Sequence, residues 1–391
     1  MIDFKDLSEP QQEIINLRSD KNYVIQGGAG TGKTVIALYR AKKMSDENRK
    51  SIILVHNIPL KKYIENAIQV LGIRENCTTW TYHVWLGRIY LSGKSKEVPL
   101  KKDIGNGIKQ KENYDFDKIL DDLENKRIEI SADCNCNIII DETQDFPPKL
   151  LRFIKRVSEI LGKSLTCLID PNQSIHNTET SLVEVLTEIK VESARTLDMN
   201  YRSTKESAEV AKLFWSHKGI FPQTLKTGQK PTMVSCSSVD EQIRKIATIA
   251  ARYNFKDGLE GKTIGIFVNE KREGLKMYDA LGDELGKKYI QYRLSVEDDR
   301  KEDNDPTKID FTKPGVKIFT YDTIKGLDFD AIVIGDNINY QNDEVYKNTL
   351  YMTLTRATSD IYICYKENKD SKDDNYFLKT LKENKELCNW E

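Results

Sequence analysis

The sequence predicts an α/β protein built on two parallel sheets. Three observations lead there. Short apolar runs alternate with helical patterns along the chain, the rhythm of strands joined by crossover helices. The stretch Gly27-Gly28-Ala29-Gly30-Thr31-Gly32-Lys33-Thr34 sits between an apolar run, Tyr23-Val24-Ile25, and an apolar-periodic segment that opens at Val35. It fits G-x-x-x-x-G-K-[ST], the strand–loop–helix pattern of a phosphate cradle. A second series of apolar runs then repeats the architecture without a glycine loop.

Taken in order, the first series gives strands at 23–26, 51–56, 137–141, 165–170 and 194–199. The second gives strands at 231–235, 263–268, 316–321, 331–335 and 361–365. The segment 219–229, with Gly219, Pro222 and Gly228, reads as a seam. The expected domains are therefore 1–220 and 221–391. Two stretches break the rhythm. Residues 92–127 are lysine-rich, with a short amphipathic piece near 116–123, and 295–314 are almost wholly polar. A last helix is expected over 377–387, docking on its own domain through Phe377, Leu378, Leu381 and Leu387. The aromatics Trp80, Tyr82, Trp85 and Tyr90 fit either a stacking platform or, from the helical spacing after Trp85, core packing.

Bulk properties narrow the class. Hydrophobic residues at 39% and charged ones at 31% match a soluble globular chain, and 391 residues suffice for two or three cores. A net charge of −1 excludes a globally basic surface, so a nucleic-acid partner needs a local basic groove. No apolar run approaches membrane-spanning length. The opening residues Met1-Ile2-Asp3-Phe4-Lys5-Asp6 show no secretory pattern. Seven cysteines occur without a CxxC pair, and no histidine stands near Cys134 and Cys136 at zinc spacing. The expectation is reduced thiols in a cytoplasmic protein without membrane attachment.

The chemistry concentrates at strand ends. In the glycine loop, backbone N–H groups of Gly28, Ala29, Gly30, Thr31 and Gly32 can surround phosphate oxygens of ATP or GTP. Lys33 can reach the β- and γ-phosphates, and the Thr34 hydroxyl can ligate Mg²⁺. Ile138-Ile139-Ile140-Asp141-Glu142 is a buried strand ending in acids. Asp141 is placed to hold Mg²⁺ and Glu142 to deprotonate an attacking water. Gln173, after the strand that ends at Asp170, can bond the γ-phosphate or that water. Arg202 and Arg356 are candidates to offset charge on the transferred phosphoryl group. Asn57, with Lys61 and Lys62, follows the second strand and opens a helix, a position that can take a strand phosphate.

The motifs have an order. It runs Gln11, 28–34, Thr81-Tyr82-His83, Asp-Glu-Thr-Gln-Asp (141–145), Asp-Pro-Asn-Gln (170–173), Asn-Tyr-Arg-Ser (200–203), Lys-Gly-Leu-Asp-Phe (325–329) and Leu-Thr-Arg-Ala (354–357). This series resembles that of UvrD/Rep-type superfamily 1 helicases, from about residue 7 to 365. The resemblance implies two tandem RecA-like P-loop NTPase domains with an ATP site in the cleft between them. It implies that Gln11 reads the adenine edge, Tyr201 stacks on adenine, and Arg202 and Arg356 contact the γ-phosphate. Asp328 stands at the ribose, where the family usually has Glu. The implied partner is single-stranded nucleic acid, DNA ahead of RNA, with 3′ to 5′ movement.

The departures concern the strand. The family's first insertion is cut to about 92–135 and its second to the loop at 295–314. His176-Asn177-Thr178-Glu179 stands where the family places an aromatic and an arginine, and Tyr321-Asp322-Thr323 replaces the usual Ile-His-Lys. Val35 replaces a common adenine-stacking Arg. Asn57, His83, His176 and Thr320 are the candidate nucleic-acid contacts. ATP hydrolysis therefore reads as intact and the grip on the strand as altered. The alternative to a translocase is an ATPase switch or loading subunit that senses nucleic acid and controls a partner nuclease or other effector.

Overall fold

The computed structural model describes residues 3–91, 97–101, 114–171, 180–215, 221–253, 261–294, 309, 313–321, 326–335, 343–366 and 375–391. The chain forms two compact units. The first comprises residues 1–28 and 32–197, the second 29–31 and 198–391.

The first unit carries α1 (Glu9–Asn16), β1 (Tyr23–Gly27), α2 (Lys33–Asp46), β2 (Ser51–Val55), α3 (Ile58–Val70), β3 (Cys77–Thr81) and α4 (Tyr82–Leu91). It continues with α5 (Phe116–Glu124), β4 (Asn137–Ile140), α6 (Pro148–Leu161), β5 (Leu165–Ile169), α7 (Leu182–Ile189) and β6 (Arg195–Leu197). The sheet order is β3-β2-β4-β5-β1-β6, with every pairing parallel. Helices cover both faces, so β2, β4 and β5 are buried at every residue and read as unbroken apolar runs. One core joins Ile36, Leu38 and Ile64 to Ile25 and Ile53. The other joins Trp85, Tyr90, Phe146 and Phe153 to Ile138 and Ile140. Tyr82, Trp85 and Tyr90 are thus core residues, whereas Trp80 is half-buried under the Arg88 guanidinium, 4.5 Å from its ring centre.

The ends of α1 are fixed on both sides. Ser8 N-caps it in a capping box with Gln11. At the other end the buried Arg40 of α2 donates to the carbonyls of Ile14 (2.9 Å), Ile15 (3.4 Å), Leu17 (3.4 Å) and Arg18 (3.4 Å). A cation at a helix C-terminus satisfies orphan carbonyls and opposes the helix dipole. Arg40 thereby ties α1 to the helix that follows the glycine loop.

The second unit carries β7 (Met199–Asn200), α8 (Lys205–Lys212), β8 (Gln223–Thr224), β9 (Thr232–Cys236), α9 (Val239–Ala251), β10 (Thr263–Val268), α10 (Lys271–Leu285) and β11 (Ile290–Arg293). Then come β12 (Gly315–Thr320), β13 (Phe329–Gly335), α11 (Asp343–Leu354), β14 (Ala357–Lys366), α12 (Tyr376–Glu383) and β15 (Asn389–Trp390). Its main sheet has the order β11-β12-β10-β13-β14-β9-β15, again wholly parallel. β7 and β8 form a separate short pair. Phe377 packs on Phe214, ring centres 5.3 Å apart, so α12 docks within its own unit. The expected helix at 377–387 stops earlier, at Glu383, and Leu387 lies in a short 3₁₀ turn.

The expectation of two parallel sheets holds. Four strands of the described residues were missing from it: β3, β8, β11 and β15. Each flanks or forms a sheet edge, where one side lacks a neighbour and apolar content drops; β3 alternates buried and exposed residues as Cys-Thr-Thr-Trp-Thr. The strand expected at 194–199 splits into the edge strand β6 and the separate β7. All seven cysteines are buried, and none forms a disulfide. No helix among the described residues is long and apolar enough to cross a membrane.

Candidate functional site

The order of the first sheet puts β4, β5 and β1 side by side, so their carboxyl ends deliver three loops to one edge. In open parallel sheets that edge is where ligands bind. The loop after β1 needs its glycines. Gly30 (φ +75°) and Gly32 (φ +86°) both lie in the left-handed region. A Cβ on Gly32 would also stand 2.5 Å from Gln11 Nε2. Gln11 is therefore beside the glycine loop, its Oε1 accepting from Ser8 N–H (3.1 Å) and its amide nitrogen turned to Gly32.

Lys33 opens α2 and is almost fully buried. Its ammonium donates to the carbonyls of Gly27 (2.9 Å) and Gly28 (3.0 Å) and pairs with Asp170 at 3.4 Å. Thr34 donates its hydroxyl to Asp141 Oδ2 at 2.7 Å, while Asp141 Oδ1 accepts from Glu142 N–H at 3.1 Å. Thr34 and Asp141 are both expected at Mg²⁺, and the fold brings them into direct contact. Burial, and next the charge of Glu142, push the Asp141 carboxyl up to about 6, against the pull of Thr34 and Lys33.

Glu142 adopts φ +53°, a left-handed conformation uncommon for a residue with a Cβ. This turn aims its side chain to where Gln144 Nε2 donates to Oε2 at 2.6 Å. Gln144 Oε1 in turn accepts from Asp170 N–H at 3.0 Å. Gln144 is fully buried and links the loop after β4 to the loop after β5. Sequence reasoning assigned it no role, although it lies in the Asp-Glu-Thr-Gln-Asp motif. Asp170, the Lys33 partner, was likewise read only as a strand end. Gln173 and His176 lie outside the described residues.

The chemical capacity follows from this set. Among the described residues, Asp141, Glu142 and Asp170 gather at this edge near the Lys33 ammonium, which pairs with Asp170. The Thr34 hydroxyl and Asp141 carboxylate are hard oxygen donors in contact, a set that suits Mg²⁺ held together with substrate phosphates.

In the second unit, Asn200 organises the turn before α8. Its Oδ1 accepts from Arg202 N–H (2.9 Å) and Ser203 N–H (3.2 Å), leaving Tyr201 exposed and able to stack. Gly30, grouped with this unit, accepts the Tyr201 N–H at 2.9 Å. Arg202 pairs with Asp328 at 2.8 Å. Arg356 is 1% exposed; its guanidinium donates to Met352 O (3.0 Å) and Leu327 O (3.3 Å) and lies 3.9 Å from the other Asp328 oxygen.

The expected strand contacts are placed as follows. Asn57 N-caps α3 through Oδ1, which accepts from Leu60 N–H at 2.8 Å. His83 Nδ1 lies 3.0 Å from the Tyr114 hydroxyl, and its ring is 3.9 Å from that of Tyr82. Thr320 ends β12 at 2% exposure.

Fold and site together define a P-loop fold of two tandem parallel-sheet, RecA-like domains, with a candidate nucleotide site at the strand ends of the first. Residues 11–179 match the family model described as an AAA domain. The chain is 26% identical over 245 residues to the putative ATP-dependent DNA helicase R568 of Acanthamoeba polyphaga mimivirus. That match takes in 58% of this chain and 34% of the relative, so the chain spans about a third of the relative's length. In fold it is similar to S. cerevisiae Dbp5 bound to RNA and ADP BeF3, with a TM-score of 0.50 at 13% identity over 99% of this chain and 90% of Dbp5.

Proposed function

We propose that the chain is an ATP-dependent nucleic-acid translocase of the UvrD/Rep superfamily 1 type, hydrolysing ATP to move along single-stranded DNA in the 3′ to 5′ direction. The observation that carries the hydrolytic part is the contact set Lys33, Thr34, Asp141 and Glu142 at the ends of β1 and β4, with β5 between them. In this reading Lys33 exchanges its loop carbonyls for the β- and γ-phosphates. Gln144 holds Glu142 so that its carboxylate takes a proton from water as the water oxygen attacks the γ-phosphorus and ADP leaves. Thr34 and Asp141 hold Mg²⁺, which when bound neutralises charge on the phosphate oxygens. Arg202 and Arg356 offset the charge that develops on the γ-phosphoryl group. Gln11 and Tyr201 take the adenine, and Asp328 lies towards the ribose.

A second reading is favoured by the packing of two expected strand contacts, His83 against Tyr82 and Tyr114, and Thr320 at a buried strand end. It is an ATPase switch that senses nucleic acid and controls a partner such as a nuclease. Strand displacement on a duplex with a 3′ tail separates the two. Displacement that needs ATP and the 3′ tail supports the translocase. Strand-stimulated ATP turnover with no displacement on either tail overturns it in favour of the switch.

A further inference from the structure

One carboxylate faces both candidate phosphate-sensing arginines. Asp328 Oδ2 is 2.8 Å from Arg202 and Oδ1 is 3.9 Å from Arg356. Its place is set by the sheet: the next residue, Phe329, starts β13 and donates its N–H to the Arg356 carbonyl at 2.9 Å. Asp328 is therefore fixed beside Arg356 by backbone pairing, whatever its side chain does. Arg202 is held just as firmly at its backbone by Asn200. The Asp328 carboxylate is 40% exposed while Arg356 is 1% exposed, so an incoming anion meets the carboxylate at the open side of the pair. Arg356 can lose Asp328 and keep the carbonyls of Met352 and Leu327.

We infer that Asp328 is an anion placeholder for the terminal phosphate, and that it sets how strongly the site prefers a nucleoside triphosphate over a diphosphate. This rests on the proposed reading that Arg202 and Arg356 meet the γ-phosphate. Only a triphosphate brings a γ-phosphate to compete with the carboxylate for the two guanidiniums; any contact of Asp328 with the ribose is common to both nucleotides and leaves their ratio unchanged. Opposed anions of this kind change the ligand's apparent affinity through the state they stabilise without it.

The test compares binding of fluorescent ADP and a fluorescent non-hydrolysable ATP analogue to the full chain. Asp328→Asn tightens the triphosphate by roughly three- to tenfold, the range for a half-exposed ion pair shared by two arginines, and leaves ADP within about twofold. Asp328→Glu, longer by one methylene, closes the gap to Arg356 and lowers the triphosphate preference. It keeps the proposal open to test should the asparagine variant fail to fold. A residue that only touches ribose gives a different pattern: both nucleotides weaken together in Asp328→Asn and strengthen together in Asp328→Glu. That pattern, or an unchanged ratio, overturns the placeholder. Arg202→Gln separates this from the underlying reading. If Arg202→Gln weakens the triphosphate alone while Asp328→Asn changes nothing, only the placeholder falls. If Arg202→Gln leaves triphosphate binding intact, the γ-phosphate reading falls with it.

Discussion

Replacing Glu142 by glutamine isolates its proposed role as proton acceptor. Glu142 is buried, and its Oε2 accepts from Gln144 Nε2 at 2.6 Å. A glutamine can present its amide oxygen to the same donor, so the left-handed turn and the Gln144 bridge to Asp170 survive. Folding stability should change by less than about 1 kcal/mol. What disappears is the carboxylate that takes the water proton, a contribution of about 10²- to 10⁴-fold, or roughly 3–5 kcal/mol of barrier. The assay is steady-state phosphate release, run beside fluorescent ATP-analogue binding and thermal melting. The expected result is turnover down by at least about a hundredfold with binding and melting kept. Turnover within about tenfold of the wild type in a folded, ATP-binding variant would refute the assignment.

Asp141→Asn should change the pH dependence of stability. Burial and the Glu142 charge raise Asp141 from 3.8 to about 6 in the fold. The folded chain thus keeps a proton that the unfolded chain has already lost. The stabilisation from Asp141 is full below about pH 4 and is lost as pH rises to about 6. The wild-type-minus-variant difference in urea unfolding should fall across that window and stay flat above it; a pH-independent difference would contradict the account. Arg40→Met strips the C-terminus of α1 of its donor to four carbonyls and should cost about 2–4 kcal/mol in the same experiment. A cost below about 1 kcal/mol would mean water replaces the guanidinium, and α1 is not held by it.

The layout of the candidate site was legible because its geometry is local. A glycine loop, its lysine and its threonine follow one strand, and the acids follow another, so spacing alone nearly builds the site. Buried central strands were legible for a related reason: with both faces covered, β2, β4 and β10 are apolar almost throughout. Edge strands were not, because half of β3 faces outward and its threonines look like loop. Long-range pairings were out of reach too. No spacing rule joins Gln144 to Asp170, Arg40 to the end of α1, or Arg202 to Asp328, which lie far apart in the chain and meet only through the sheet order. His83, a motif residue expected at the strand, has its ring beside Tyr82 and Tyr114.

The most direct measurement is ATP hydrolysis by the purified chain with no nucleic acid, with single-stranded DNA, with single-stranded RNA and with duplex, Glu142→Gln serving as the blank. The account predicts slow turnover alone and strong stimulation by single-stranded DNA, above that by RNA or duplex. Turnover that no nucleic acid changes would contradict it and would point to a protein partner.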